Sequence, residues 1–347
     1  MDPMPKPKIL VTGVLGYVAS HLIKLLLLKD YQVRGTVRSL SNKQKYDFLY
    51  NLAPEKNCNL ELVEANLTNR SSWDSAVEGC EYVFHIASPV PPYVPKDEME
   101  IIGPAVSGTT NVLEACLAKG VKKIVVTSSC LAITIGNSDK VSTEETWSKE
   151  EECPAYPKSK VRAERAAWEF FKKNKDKIKM TVVNPSLVLG LVFIKHGNSS
   201  ETLITDIMNG EYPGIMDVKL AVSDVRDVAE GHFRAMFEEN TNGKRYIIAG
   251  EDVSMEKVVR LLKDEFGKYG YNIVDKHVDV QEVIESGNAV AQRQVNLIGK
   301  ENKINNEKSI KELHMKYTPV EKTVVDMGYS LIERGAIPNK ISQNESG

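Results

Sequence analysis

The sequence predicts a doubly wound α/β fold, a parallel sheet covered by helices on both faces, followed by a smaller C-terminal α/β lobe. Three observations predict it. Short apolar runs alternate with amphipathic stretches of helical length through the first half of the chain. A glycine-bearing turn, Gly13-Val14-Leu15-Gly16, separates the first of those runs from the first helical stretch. Beyond Pro185 the alternation loosens. Strands alternating with helices imply βαβ units, and right-handed crossovers between such units wind the sheet in both directions.

Taken in order, Lys8–Val11 is a compact β-type run, and Val18–Leu28 is the helical stretch beyond the glycine turn. Gln32–Val37 reads as the second strand and Leu60–Glu64 as the third, with a polar helix beginning near Ser72. Tyr82–Ile86 and Lys123–Thr127 are further strands, separated by a helix around Val106–Lys119. After Tyr156, residues Ala163, Ala166, Ala167, Phe170 and Phe171 recur at helical spacing, and Met180–Val183 is another strand. Gly190–Tyr212 reads as loop and short helix. Arg245–Ile248 is expected to return to the main sheet. The expected division is therefore 6–185 as a nucleotide-binding domain with 220–250 returning to it, 186–335 mainly as a substrate lobe, and 336–347 as a flexible polar tail.

Composition narrows the function. The 347 residues are 42% hydrophobic and 27% charged, which is globular rather than disordered. A formal net charge of -2 offers no cationic surface for non-specific nucleic-acid binding. The lysine-rich stretches Lys119–Lys123 and Lys172–Lys179 are read as solvated helix ends. Five cysteines, at 58, 80, 116, 130 and 153, show no CxxC pair and no metal-type spacing, so they are expected as free thiols in a reducing compartment. The apolar Leu22–Leu28 is interrupted by Lys24 and is far short of the roughly 20 residues that a membrane span needs. With no signal-peptide core at the N-terminus, a cytoplasmic protein without membrane or nucleic-acid partners is expected.

The segment Val11-Thr12-Gly13-Val14-Leu15-Gly16-Tyr17-Val18-Ala19 follows a strand and opens a helix, the context a dinucleotide turn requires. Gly13 permits the tight turn, Gly16 lets the backbone approach a pyrophosphate, and small Ala19 lets the helix pack closely on the sheet. The helix N-terminus then offers N–H groups and a positive dipole end to phosphate. Thr12 and Tyr17, which flank the glycines, are counted with them as cofactor-binding candidates. The end of the second strand selects the cofactor. NAD sites carry Asp or Glu there, whereas a cation meets the 2′-phosphate of NADP. Here the strand ends Gly35-Thr36-Val37-Arg38, with Lys43 and Lys45 close behind. Arg38 can stack on adenine while reaching phosphate, so NADPH/NADP+ is the expected cofactor.

Tyr156 and Lys160 stand four apart in Ala155-Tyr156-Pro157-Lys158-Ser159-Lys160. On a helix that spacing puts both side chains on one face, with Cβ atoms about 5–6 Å apart. A free phenol is a poor acid at neutral pH; an adjacent ammonium stabilises the phenolate and suits the phenol to proton donation. Lys160 can also hold the nicotinamide ribose. Ser129 closes the run Val125-Val126-Thr127-Ser128-Ser129, at the strand end that faces the ligand crevice of such a sheet, where its hydroxyl can polarise a carbonyl. Pro157 tests this arrangement, because a residue before proline is biased away from helix. If the helix starts late, Tyr156 falls at its mouth and the spacing loses its meaning.

Together, Gly13-x-x-Gly16-x-x-Ala19, Ser129 and Tyr156-x-x-x-Lys160 resemble the extended short-chain dehydrogenase/reductase superfamily. Val83-Phe84-His85-Ile86-Ala87-Ser88-Pro89, Asn184-Pro185-Ser186 and Asp224-Val225-Arg226-Asp227-Val228-Ala229 are similar to its dihydroflavonol reductase, cinnamoyl-CoA reductase and methylglyoxal-ketone reductase branch. The resemblance runs from about Lys8 to about Gly335. It implies a Rossmann domain, a small C-terminal substrate lobe, NADPH, and carbonyl reduction. By motif match, Arg38 and Lys45 would take the 2′-phosphate, while Ala87 and Pro185 would flank the cofactor. Asn66-Leu67 stands where the family has an adenine-contacting Asp-Leu, so its carbonyl acceptor is kept and a charge is lost. Thr134 replaces an Asn that flavonoid reductases carry, which argues against flavonoid substrates.

The expected function is NADPH-dependent reduction of an aldehyde or ketone by hydride transfer, with Tyr156 as proton donor, in a monomer or homodimer whose partner is a small carbonyl compound. Two enzyme alternatives share the triad: a hydroxysteroid-type alcohol dehydrogenase, and a sugar-nucleotide epimerase or dehydratase. The missing acid after the second strand and the lack of an acidic pair around Ser129 oppose the latter. A non-catalytic NADP-binding sensor would have lost Tyr156 or Lys160. Cys130 reads as a small buried thiol, and His85 and His232 as satisfied structural histidines. Phe193 and Tyr212 are candidates either for a substrate pocket or for core packing.

Overall fold

The computed structural model describes residues 6–89, 97–137, 140–195, 197–292, 294–300 and 303–344. In chain order its strands are β1 Lys8–Val11, β2 Gln32–Val37, β3 Leu60–Glu64, β4 Tyr82–His85, β5 Lys123–Thr127, β6 Lys179–Pro185, β7 Leu187–Leu189, β8 Lys219–Asp224, β9 Lys244–Ile248 and β10 Asp252–Ser254. The helices are α1 Tyr17–Leu28, α2 Asp47–Tyr50, α3 Ser72–Val77, α4 Met99–Ala118, α5 Ala155–Asn174, α6 Ser199–Asn209, α7 Val225–Phe237 and α8 Met255–Phe266. After them come α9 Val280–Glu285, α10 Ala289–Gln292, α11 Glu307–Glu312, α12 Val320–Glu333 and α13 Ile341–Asn344.

Seven strands form one parallel sheet in the order β3-β2-β1-β4-β5-β6-β9. The winding reverses between β1 and β4, the switch point where a crevice opens at the carboxyl ends of the strands. Side-chain alternation along β1 shows why both faces must be covered. Ile9 and Val11 enter the core beneath α1 and α7, while Leu10 enters the core on the α4 side. On the first face α1 packs on α7; on the second α4 packs on α5. This is the doubly wound architecture that the alternating pattern predicts.

Several boundaries differ from expectation, each for a physical reason. Helix α4 begins at Met99, well before Val106, and runs through Pro104, whose missing N–H removes one ladder bond, that to the Glu100 carbonyl. Helix α6 occupies most of the stretch that reads as loop; Asn198 caps it by accepting from the Glu201 N–H, and Gly210 closes it in the left-handed conformation. Lys123 is not a solvated helix end. It is 7% exposed, and its ammonium donates to the carbonyls of Ala235 and Met236 and to Thr241 Oγ1, closing the C-terminus of α7. Burial lowers its pKa to about 8.

Within residues 220–250, α7 packs against the main sheet and β9 pairs with β6, but β8 joins β7 and β10 in a separate three-stranded sheet. A further core gathers there from α6, α8 and α12, including Leu203, Ile207, Val258, Leu262, Val324 and Leu331. Gly328 lets α12 close on α8, since a Cβ there would lie 2.6 Å from the Phe266 ring. Residues 338–340 are tied to the C-terminal lobe. The Tyr271 hydroxyl donates to the Pro338 carbonyl and accepts from the Lys340 N–H; residues 345–347 lie outside the described residues.

Candidate active site

Because the sheet is parallel, every strand delivers its following residue to the same edge. Read across that edge, the sequence candidates stand in the spatial order Asn66, Arg38, Gly13, Ala87, Ser129 and Pro185, at or just beyond β3, β2, β1, β4, β5 and β6. Residues spread over 172 positions of sequence, from Gly13 to Pro185, thus stand along one edge of the sheet.

The centre of this edge is the glycine turn. Gly13 has φ +69°, and a Cβ on it would lie 2.9 Å from that of Ala87. Only glycine combines that backbone with so close an approach. Its N–H donates to Thr36 Oγ1, and the Gly16 N–H returns to the Gly13 carbonyl at 2.8 Å. Gly16 is the N-cap of α1, with Ala19 fully buried in the first turn. Thr12 is buried and pins the turn to the end of β4: its Oγ1 accepts from the N–H groups of Ile86 and Ala87 at 3.0 and 2.9 Å. Those two donors leave its own proton for His85 Nδ1, 3.1 Å away, which holds His85 as the Nε2–H tautomer. Burial, with a smaller contribution from the Lys160 charge, lowers the His85 pKa to about 3, so the imidazole is neutral.

Tyr17, read from the motif as a cofactor contact, spends its hydroxyl elsewhere. It donates to the Gly190 carbonyl at 2.6 Å, and burial raises its pKa well above the usual phenol value. One turn on, His21 Nε2 is 2.8 Å from the Leu191 carbonyl and its ring stacks on Phe193 at 4.1 Å. Helix α1 is thereby strapped to the segment after β7. Phe193 is spent on that packing and Tyr212 lies buried in the core of the C-terminal lobe, so packing rather than pocket lining accounts for both.

On the adenine side, Arg38 and Lys45 are exposed and make no ion pair with a described residue. Glu64, at the end of β3, accepts from the Leu40 N–H at 2.6 Å. Asn66 Oδ1 accepts from the N–H and hydroxyl of Thr68, an Asx-type turn that occupies the acceptor expected to face adenine. Leu67 packs on Gly108 and accepts Asn111 Nδ2 at its carbonyl.

On the reaction side, α5 begins at Ala155 after Pro154, so Pro157 falls in the first turn, where its missing N–H costs nothing. The Tyr156–Lys160 spacing is therefore helical. Lys160 Nζ lies 5.7 Å from the Tyr156 ring centre, and Lys160 is 7% exposed with no hydrogen bond or ion pair to a described residue. The Tyr156 hydroxyl likewise has no described partner; its carbonyl accepts Ser159 Oγ. Ser129, just past β5, caps the turn Cys130–Ala132 and accepts from the Leu131 N–H at 3.1 Å, which leaves its own proton to donate. Helix α5 packs on that turn. Pro185 ends β6 beside Ile248. Cys130 is buried, and burial raises its thiol pKa far above the ordinary value, consistent with an inert packing thiol.

Sequence reasoning missed what lies beneath. Glu164, one turn beyond Lys160, is 1% exposed and accepts from Ser128 Oγ, Trp168 Nε1 and Asn184 Nδ2. Arg245 faces it: Nε lies 2.6 Å from Oε1 with its N–H turned off that axis, and Nη2 donates to Oε2 at 3.3 Å. Helix α5 is charged throughout, so its pattern does not mark Glu164; the one available signal was Arg245 beside the apolar run of β9. The described residues contain no cluster able to hold a metal ion and no helix long and apolar enough to cross a membrane.

Comparison with known proteins agrees with this fold. Over 333 residues, 93% of this chain and 95% of the relative, the protein is 32% identical to cinnamoyl-CoA reductase CAD2 of Medicago truncatula. It is 34% identical to anthocyanidin reductase of Arabidopsis thaliana across 76% of this chain and 81% of that one. Yeast methylglyoxal/isovaleraldehyde reductase Gre2, solved complexed with NADPH, superposes with a TM-score of 0.79 at 26% identity, covering 95% of this chain and 99% of that one. A family model matches residues 9–249, from the first strand of the sheet to just past its last. The chain belongs to the NAD dependent epimerase/dehydratase family, in the extended short-chain dehydrogenase/reductase group.

Proposed function

We propose that this protein is an NADPH-dependent reductase of a small aldehyde or ketone. One observation carries the reading: Tyr156 and Lys160 share a face of α5, with the phenol and the ammonium both unpaired among the described residues. Similarity to reductases supports it, one of them an NADPH complex.

The residues fit the cofactor from end to end. Arg38 and Lys45 would take the 2′-phosphate, the Gly13–Gly16 turn and the α1 N-terminus the pyrophosphate, and Lys160 the nicotinamide ribose. Thr12 acts on that site through its hold on Ala87, while Leu67 and Pro185 border it. From β2 to β5 is three strand spacings, about 14 Å at about 4.8 Å each, a span suited to an extended dinucleotide. NADPH, when bound, supplies the hydride. Ser129 donates its hydroxyl proton as a hydrogen bond to the carbonyl oxygen, polarising it. Tyr156 gives its proton to that oxygen as charge develops, and the Lys160 ammonium stabilises the phenolate left behind. Neutral His85 adds no competing charge nearby. In this reading, residues 6–185 with α7 and β9 hold the cofactor, and the lobe built on β8, α6, α8 and α12 selects the substrate.

The test is turnover of purified protein on a panel of aldehydes and ketones, followed by NADPH absorbance. Oxidation of NADPH with at least one carbonyl, lost in Tyr156→Phe, is expected. NADPH binding without turnover across the panel would remove the catalytic assignment and leave a nucleotide sensor.

A further inference from the structure

We infer that Glu164, acting with Asn184, is a positioning residue that sets the Ser129 strand end in register with the Tyr156–Lys160 helix. The inference rests on the reductase reading and deepens it. Tyr156, Lys160 and Glu164 recur every four residues along α5, so Glu164 extends the catalytic face inward. There it is buried and meets the segment that carries Ser129. Ser128 Oγ donates to its Oε2 at 2.5 Å, and Asn184 Nδ2 bridges the same Oε2 at 2.9 Å and the Ser129 carbonyl at 3.1 Å. One carboxylate therefore holds the residues on either side of the Ser128–Ser129 peptide bond, directly and through an amide.

The Asn184 amide shows what the fold tolerates to keep this link. Both neighbours of Nδ2 are acceptors, so the amide cannot be turned over without placing oxygen against oxygen. Its Oδ1 is consequently buried with no partner among the described residues. A desolvated acceptor left unpaired is a standing cost. A core shaped by stability alone would place an apolar side chain or a donor there, and local rules are broken mainly where function requires it. Arg245 compensates the charge without touching Ser129: its other contacts are the carbonyls of Glu144 and Thr146 and the Trp147 ring. The bridge to Ser129 belongs to Glu164 and Asn184.

A residue that only braced α5 against β9 would weaken the enzyme independently of Ser129. A positioning residue loses its effect once the hydroxyl it positions is gone. The experiment is a double-mutant cycle of Glu164→Gln and Ser129→Ala, reading kcat and KM for an aldehyde that the wild type reduces, with NADPH affinity and thermal midpoint recorded for each protein. Glu164→Gln is expected to lower kcat about 10- to 100-fold in the wild-type background, since misplacement by about 1 Å costs on that scale. In the Ser129→Ala background it should cost less than about 3-fold, with NADPH affinity changed little in both. Equal losses in the two backgrounds would overturn the inference. Should Glu164→Gln fail to fold, Ser128→Ala, which deletes one hydroxyl donor to the carboxylate, takes its place in the same cycle with the same criteria. No turnover by the wild type, or Ser129→Ala as active as wild type, would instead bring down the reductase reading and this inference with it.

Discussion

The ammonium of Lys160 stands 5.7 Å from the centre of the Tyr156 ring, one helical turn further along α5, at a position only 7% exposed. A buried cation with no carboxylate of the described residues paired to it is costly unless something else is to meet it. The two residues should therefore fail differently. Tyr156→Phe is expected to lower kcat by about 10²-fold or more while NADPH affinity stays within about threefold. Lys160→Met should lower kcat and weaken NADPH binding together. Single-turnover rates and fluorescence titration with NADPH separate the two; equal patterns would mean that Lys160 does not touch the cofactor.

Arg38 and Lys45 are exposed beyond β2 without described ion-pair partners. Removing both should cost the contacts that distinguish NADPH from NADH. Charge-assisted hydrogen bonds contribute about 1.5–3 kcal/mol each, so the double alanine variant, which removes two, should lose about 10²- to 10⁴-fold of its preference in kcat/KM. An unchanged ratio would place the 2′-phosphate elsewhere.

Gly13→Ala combines a left-handed backbone with a Cβ placed 2.9 Å from that of Ala87. The strain is expected to cost about 1–3 kcal/mol of stability and to push the turn away from the pyrophosphate. Urea melts and NADPH titration read the two effects, and a variant that melts and binds as wild type would disprove the close approach.

Tyr17→Phe separates a motif reading from the geometry. The hydroxyl donates to Gly190, so its loss should lower stability by about 1 kcal/mol and leave NADPH affinity within about twofold. A large loss of affinity with unchanged stability would restore Tyr17 as a side-chain cofactor ligand.

Acid should unfold this protein through its histidines. Burial lowers His21 and His85 to about 3 and His232 to about 4, against about 6.5 when unfolded. Their stabilisation is complete above pH 6.5 and is lost as pH falls towards 3, because the unfolded chain binds the protons first. At pH 5 each costs about 2 kcal/mol relative to neutral pH. Asp227, raised to about 6 mainly by burial, runs the other way: its folded form holds a proton that the unfolded form releases, which returns about 1 kcal/mol by pH 5. The net expectation is a steep fall in the urea midpoint from pH 7 to 5, and a flat profile would contradict it.

Much of the sheet was readable without coordinates. Leu60–Glu64, Gln32–Val37 and Lys123–Thr127 have the bounds their alternation and flanking turns suggest. The glycine turn and the Tyr156–Lys160 pair were readable because local spacing alone decides them. Lys123 was not, since nothing nearby reveals that its ammonium will close a helix more than a hundred residues away. The partner of the Tyr17 hydroxyl was hidden for the same reason: Gly190, which accepts from it, is 173 positions distant.

The sequence by itself determined the periodicities, hence the parallel sheet, the turn that only glycine can make, and a phenol and an ammonium on one helical face. These depend on neighbours within a turn or two of chain. The tertiary structure alone decided which buried polar groups meet, joining Glu164, Asn184 and Arg245 from three separate elements with Ser128 just past β5. Hydrogen bonds reach only about 3 Å, so their partners are set by the packing that brings distant segments together, and no pattern along the chain records it.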